Sequence, residues 1–175
     1  MFKLQVPNAI LLTVPFTGTH FTQTVLTEMT MSHGWYIASA HWLDDAVANE
    51  WNKIVRRKII VTSRNPYLSA IRSIKAYGSI DDSVNQWNCM LDKLPQLNYF
   101  VFNVECEERH RERHLSDLAA FLGITINMKI KWIPENVSTS AIKEKYTATQ
   151  ELPEGHDWDK LNDAISWYKA LTTST

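Results

Sequence analysis

Little in this sequence announces a function by itself. There are two cysteines, Cys89 and Cys106, with neither a metal-ligand nor a redox spacing, and reduced thiols inside the fold are expected. Neither sign of charge is in excess: 18 Lys and Arg stand against 19 Asp and Glu. No global positive field draws the chain to nucleic acid or an anionic membrane, so any anion site has to be local. The apolar run at residues 10–14 is too short for a signal-peptide core or a membrane span, and a cytoplasmic protein is expected. Five glycines and six prolines in 175 residues gather into no linker, repeat or low-complexity run. One domain spanning residues 1–175, with enough length for a sizeable core, is the expectation.

What is present is organised around residues 9–26. Ile10-Leu-Leu-Thr-Val14 reads as a buried strand, ended by Pro15. Phe16-Thr-Gly-Thr-His20 is a turn of small residues about Gly18, and Phe21, Val25, Leu26 and Met29 then recur at helical spacing. Strand, glycine turn and helix aim backbone N–H groups and a partial positive charge at an anion. The nucleoside-triphosphate P-loop pattern is not met, because Thr19-His20 stands where Gly-Lys-Ser/Thr should follow.

The rest of the chain alternates strands with helices. A second strand is predicted over 34–40, then one helix whose apolar face is Leu43, Val47, Trp51, Ile54 and Val55. The β-branched run Lys58–Ser63 is a third strand, with Asn65 and Pro66 as cap and first residue of the helix that follows. Further helices are predicted from about residue 80 to Pro95, over 107–122 with Gly123 as stop, and after Asp157. A fourth strand falls at 98–104, and a short one is possible over 126–130. The motif Glu-Arg-His-Arg-Glu-Arg-His114 reads as a solvated charged helix face rather than a zinc site, so no metal is expected. This order implies an α/β fold, a three-layer sandwich about a central parallel sheet. Ligands in such folds sit at the carboxyl ends of the strands. The glycine turn, His41 and Arg64 all fall on that edge.

Those residues resemble the sulfotransferases that use 3′-phosphoadenosine-5′-phosphosulfate (PAPS). Pro15-Phe-Thr-Gly-Thr-His-Phe21 is similar to the family's Pro-Lys-Ser-Gly-Thr-Thr-Trp loop, and Val61-Thr-Ser-Arg-Asn-Pro66 to its strand ending Arg-Asn/Asp-Pro. Phe100-Val-Phe-Asn-Val-Glu105, followed by Leu118-Ala-Ala-Phe-Leu-Gly123, resembles a later strand and helix of the family. The resemblance implies a P-loop-like sulfotransferase fold with PAPS as co-substrate. By it, Phe16, Thr17, Gly18, Thr19 and His20 hold the 5′-phosphosulfate, and Phe21 packs on adenine. Arg64, with Arg72 and Ser73, meets the 3′-phosphate, and His41 is the base toward an acceptor hydroxyl or amine. Departures are also plain: Phe16 and Ser39 replace lysines, Asn103 replaces a tyrosine, and only Lys143 and Lys145 offer themselves for a C-terminal basic loop. Protonated, His20 could supply the charge the loop lysine otherwise brings.

Each residue also has a plainer reading. His41 could cap a helix, His20 could serve helix-start hydrogen bonding, and Arg64 could form a structural salt bridge. Three functions follow: a sulfotransferase, a non-catalytic binder of a phosphorylated adenosine nucleotide or protein partner, and an atypical P-loop phosphotransferase. The last lacks both the phosphate-binding lysine and an obvious magnesium carboxylate. Residues 124–156, where an acceptor pocket is expected, carry no motif, and the acceptor stays open.

Overall fold

In a computed structural model, residues 7–126 and 152–173 are described. Four strands, β1 (Ala9–Thr13), β2 (Ile37–His41), β3 (Lys58–Ser63) and β4 (Tyr99–Asn103), form one sheet in the order β2-β1-β3-β4. Every neighbouring pair is parallel. Seven α-helices occur among the described residues: α1 (Thr19–Thr30), α2 (Asp45–Asn49), α3 (Trp51–Ile54), α4 (Pro66–Tyr77), α5 (Asp81–Lys93), α6 (Glu108–Leu122) and α7 (Asn162–Thr173). The expected α/β architecture is the observed one.

Alternation along the strands assigns the two faces. Ile10, Leu12, Ile59 and Val61 join residues of α4, α5 and α7, including the fully buried Trp87, whose indole N–H donates to Ser69 Oγ at 3.1 Å. Ala9, Leu11 and Ile60 join Phe21, Val25 and Leu26 of α1 and Leu115, Leu118 and Leu122 of α6 on the other face. At the start of β3, the Lys58 ammonium donates to the carbonyls of Phe121 and Leu122 at 2.8 and 2.7 Å. A cation on the last carbonyls of α6 completes its hydrogen bonding and opposes its dipole, a contribution of about 1 kcal/mol.

The boundaries differ from the sequence expectation in three places. The second strand starts at Ile37, because Gly34 closes a 3-10 turn at φ 62° and the Tyr36 N–H is taken by the Asn8 side chain at 2.9 Å. The helix read through 43–55 is two, α2 and α3, broken at Glu50, whose φ is −107° and ψ 12°. The last helix opens as a 3-10 turn over Trp158–Leu161 before α7. The possible strand through 126–130 falls almost wholly outside the described residues, as do Lys143 and Lys145.

This strand order has a consequence for ligand binding. After β1 the chain moves toward β2, whereas after β3 it moves toward β4. The two connections part above adjacent strands, the kind of switch point at whose carboxyl ends parallel sheets bind ligands. Both the glycine turn and Arg64 belong to those connections.

Candidate functional site

The sheet changes character in its last row. On the α1 side the apolar residues Ala9 and Leu11 of β1 give way to Thr13, and in β3 Ile60 gives way to Thr62. Thr13 is paired in register with His41, so the two side chains share this face. Thr13, Thr17 and Thr62 are all fully buried. Such hydroxyls need partners there, and they find one another. The Thr17 hydroxyl donates to the Val14 carbonyl at 2.6 Å and is hydrogen-bonded to Thr62 Oγ1, which fastens the turn to β3. The Thr19 hydroxyl donates to Thr13 Oγ1 at 3.0 Å, and Thr13 Oγ1 is 2.9 Å from His41 Nδ1.

The turn itself depends on unusual backbone. Gly18, the N-cap of α1, has φ 94°, and a Cβ added to it would lie 2.9 Å from Val104 Cγ2. Phe16 has φ 64°, the single positive value outside glycine among the described residues. A side chain in this region costs about 1 kcal/mol or more, and such strain gathers at ligand-binding turns. The Phe16 carbonyl accepts from Arg64 Nη1 at 3.4 Å, and its ring meets that of Tyr77 at the end of α4, centroids 6.0 Å apart. The α1 N-terminus has neither a side-chain cap nor an acidic residue in its first turn. Its leading N–H groups precede the helical ladder and have no intrahelical acceptor.

Arg64 is held from its other side by Glu105. That carboxylate lies 3.8 Å from Arg64 Nε, accepts the Asn65 N–H at 2.8 Å and accepts the Tyr168 hydroxyl of α7 at 2.6 Å. Burial first, then this bond to Glu105, raises the Tyr168 pKa well above the usual phenol value. Asn65 caps α4 by accepting the Tyr67 N–H at 3.0 Å, with Pro66 in the first position, as its sequence suggests. On the α4 side of the sheet, the buried hydroxyls of Ser63 and Ser73 have no hydrogen-bond partner among the described residues.

The residues singled out by sequence therefore divide. Along the rim above β1, β2 and β3, hydrogen bonds link Thr19 to His41 through Thr13, Thr17 to Thr62, and Arg64 to the Phe16 carbonyl. The plain reading of Arg64 as a salt-bridging residue also has its partner, in Glu105. His41 ends β2, and Asp44 Oδ2 accepts its backbone N–H at 2.7 Å. His20 is exposed in the first turn of α1. A charged imidazole there opposes the helix dipole unless an anion is beside it. Phe21 is 5% exposed and packs on Phe102 in the core, centroids 6.1 Å apart. Arg72 is half-buried on α4, and Ser73 lies one turn before Tyr77 on the same helix.

His114 is a correction to the solvated-face reading. Its ring packs against Phe100 and Phe102, and its Nε2 accepts the Asn103 N–H at 3.1 Å. Burial depresses its pKa, so it is a neutral structural acceptor. Sequence reasoning also passed over Thr13, Thr62 and Tyr168. A lone polar residue at the end of an apolar strand was the available signal for Thr13. Nothing local signals that Thr62 and Thr17 meet.

No helix among the described residues is long and apolar enough to cross a membrane. No protein-family model and no curated protein matches the sequence. Among solved structures the chain is similar to mouse sulfotransferase SULT7A1, solved in complex with PAP. That alignment has 17% identity and a TM-score of 0.53, and it covers 99% of this chain and 91% of the other. Identity at that level speaks to architecture alone: the protein has the fold of the sulfotransferases.

Proposed function

We propose that this protein binds PAPS or its desulfated product over the carboxyl ends of β1 and β3 and transfers the sulfuryl group to an acceptor hydroxyl or amine. The observation that carries this reading is the rim itself: a glycine turn at a helix N-terminus, a guanidinium and an imidazole tied together by hydrogen bonds. The structural neighbour supports it, being solved with PAP.

The residues fit a doubly phosphorylated nucleotide in two respects. Gly18 takes the left-handed backbone, φ 94°, that turns the chain into α1 and leaves the helix N-terminus without a side-chain cap, where an anion is favoured. Ser63 and Ser73 carry buried hydroxyls with no partner among the described residues, a costly state unless an acceptor arrives. In this reading the N–H groups and hydroxyls of the 17–19 turn take the 5′-phosphate end. Arg64, with Arg72 and Ser73 on α4, takes the 3′-phosphate, a task suited to a forked, permanently charged group. PAPS supplies a sulfuryl group already activated on a phosphate. His41 supplies a nitrogen that takes the acceptor's proton.

Phe16 favours a second reading, a binder of the same nucleotide without turnover. An apolar ring stands where the family's loop has an ammonium, and loss of such a donor costs about 3 kcal/mol of transition-state stabilisation.

A melting-shift panel tests both. Adenosine 3′,5′-bisphosphate at a hundred times its dissociation constant is expected to stabilise the chain by about 2.7 kcal/mol. ATP should not match it, and Arg64→Ala should lose most of the effect. No shift with the bisphosphate, or an equal one with ATP, rejects the nucleotide assignment. Transfer of labelled sulfate from PAPS to a pooled acceptor set then separates enzyme from binder.

A further inference from the structure

Thr13 is fully buried and stands directly beside His41 in the β1–β2 register. His41 Nδ1 meets two oxygens of this one residue, the hydroxyl at 2.9 Å and the carbonyl at 3.2 Å. A carbonyl oxygen can only accept. Of the two neutral forms of the ring, only the one protonated on Nδ1 makes both contacts attractive, its N–H shared between carbonyl and hydroxyl. With the proton on Nε2, a bare Nδ1 would face the carbonyl lone pairs. Thr13 Oγ1 has a second lone pair, and with it accepts the hydroxyl proton of Thr19. Histidine in water prefers the Nε2–H form, so this strand end reverses the ordinary preference.

We propose that Thr13 is a positioning residue: its hydroxyl and carbonyl hold His41 in the Nδ1–H form and leave Nε2 as the bare nitrogen. The bond the second ring nitrogen makes is what decides which nitrogen is free for proton transfer. The inference deepens the assignment of His41 as base and rests on it for its catalytic meaning. It also joins the anion turn to the imidazole through two hydroxyls, Thr19 and Thr13, from different segments of the chain. The proton stays on Nδ1 throughout; the acceptor's proton goes to Nε2.

The test is the ¹⁵N spectrum of the His41 ring in the whole chain, taken at a pH where the imidazole is neutral and assigned by its loss in His41→Gln. The wild type is expected to show a bare, pyridine-like Nε2. Thr13→Val keeps the carbonyl and the shape but lacks the hydroxyl, so signal should move toward the Nε2–H form, and Thr13→Ser should restore the wild-type pattern. In a sulfuryl-transfer assay Thr13→Val should lower kcat about tenfold, a part of the hundred- to ten-thousandfold that general-base catalysis supplies, with KM for the nucleotide unchanged. A wild-type ring protonated on Nε2, or a Thr13→Val spectrum identical to wild type, overturns the proposal. Should Thr13→Val not fold, the wild-type and Thr13→Ser spectra still decide it. Because the ring is read without nucleotide, a chain that binds no bisphosphate fails the proposed function and leaves this result separate.

Discussion

Turnover of PAPS by a His41→Ala variant is expected to fall by about a hundred- to ten-thousandfold, the range a positioned general base contributes, while affinity for adenosine 3′,5′-bisphosphate stays nearly unchanged. The split follows from where the ring is anchored. Its contacts with Thr13 are at the end of the sheet, and none of its hydrogen bonds reaches the backbone of the glycine turn. Asp44 accepts the backbone N–H of His41, a bond that alanine keeps. Loss of the half-buried ring should therefore cost little stability, on the order of 1 kcal/mol. Steady-state kinetics and a bisphosphate titration on the same preparation measure both halves. Wild-type turnover in the variant would take His41 out of the mechanism, and an equal loss of affinity would recast it as a binding residue.

Gly18→Ala should produce the largest change among substitutions in the turn. A side chain at φ 94° costs about 1–2 kcal/mol in backbone strain. Its Cβ would also meet Val104 Cγ2 at 2.9 Å and Cγ1 at 3.0 Å. Valine is stiff at χ1 and cannot swing both methyls away, so overpacking adds about 1–3 kcal/mol. The expected loss of stability is about 2–5 kcal/mol in a denaturant titration, the sum of those two terms, with bisphosphate binding weakened in the folded fraction. The double variant Gly18→Ala/Val104→Ala should recover the overpacking part and retain the backbone part. A single variant as stable as wild type, with intact binding, would show that the turn needs no glycine.

How much of this could be read from the sequence depends on how local the cause is. The run Lys58–Ser63 and the cap Asn65-Pro66 were legible to the residue, because β-branched side chains and capping chemistry act within a few positions. The break at Glu50 was not, since the apolar spacing of Val47, Trp51 and Ile54 runs on through it. His114 was masked by its charged neighbours, although its spacing with Leu118 places it toward the core. Phe21 answers to two patterns, the spacing with Val25 and Leu26 and the motif position beside adenine. Its burial against Phe102 follows the first. The site was legible as three strand ends on one edge. The threonine network that binds them depends on register and on pairs such as Thr17 and Thr62, and only the folded sheet supplies those.

Glu105 and Tyr168 carry one more implication. A phenol whose acidity is suppressed in the native chain keeps its proton at pH values where the unfolded chain gives it up, above about 10. The stabilisation is whole below that point and drains away as the medium turns more alkaline, through the raised folded value. The C-terminal helix is thus fastened to the carboxylate behind Arg64 by an alkali-sensitive latch. Strong base would slip the end of the chain and loosen the guanidinium's backing in a single event.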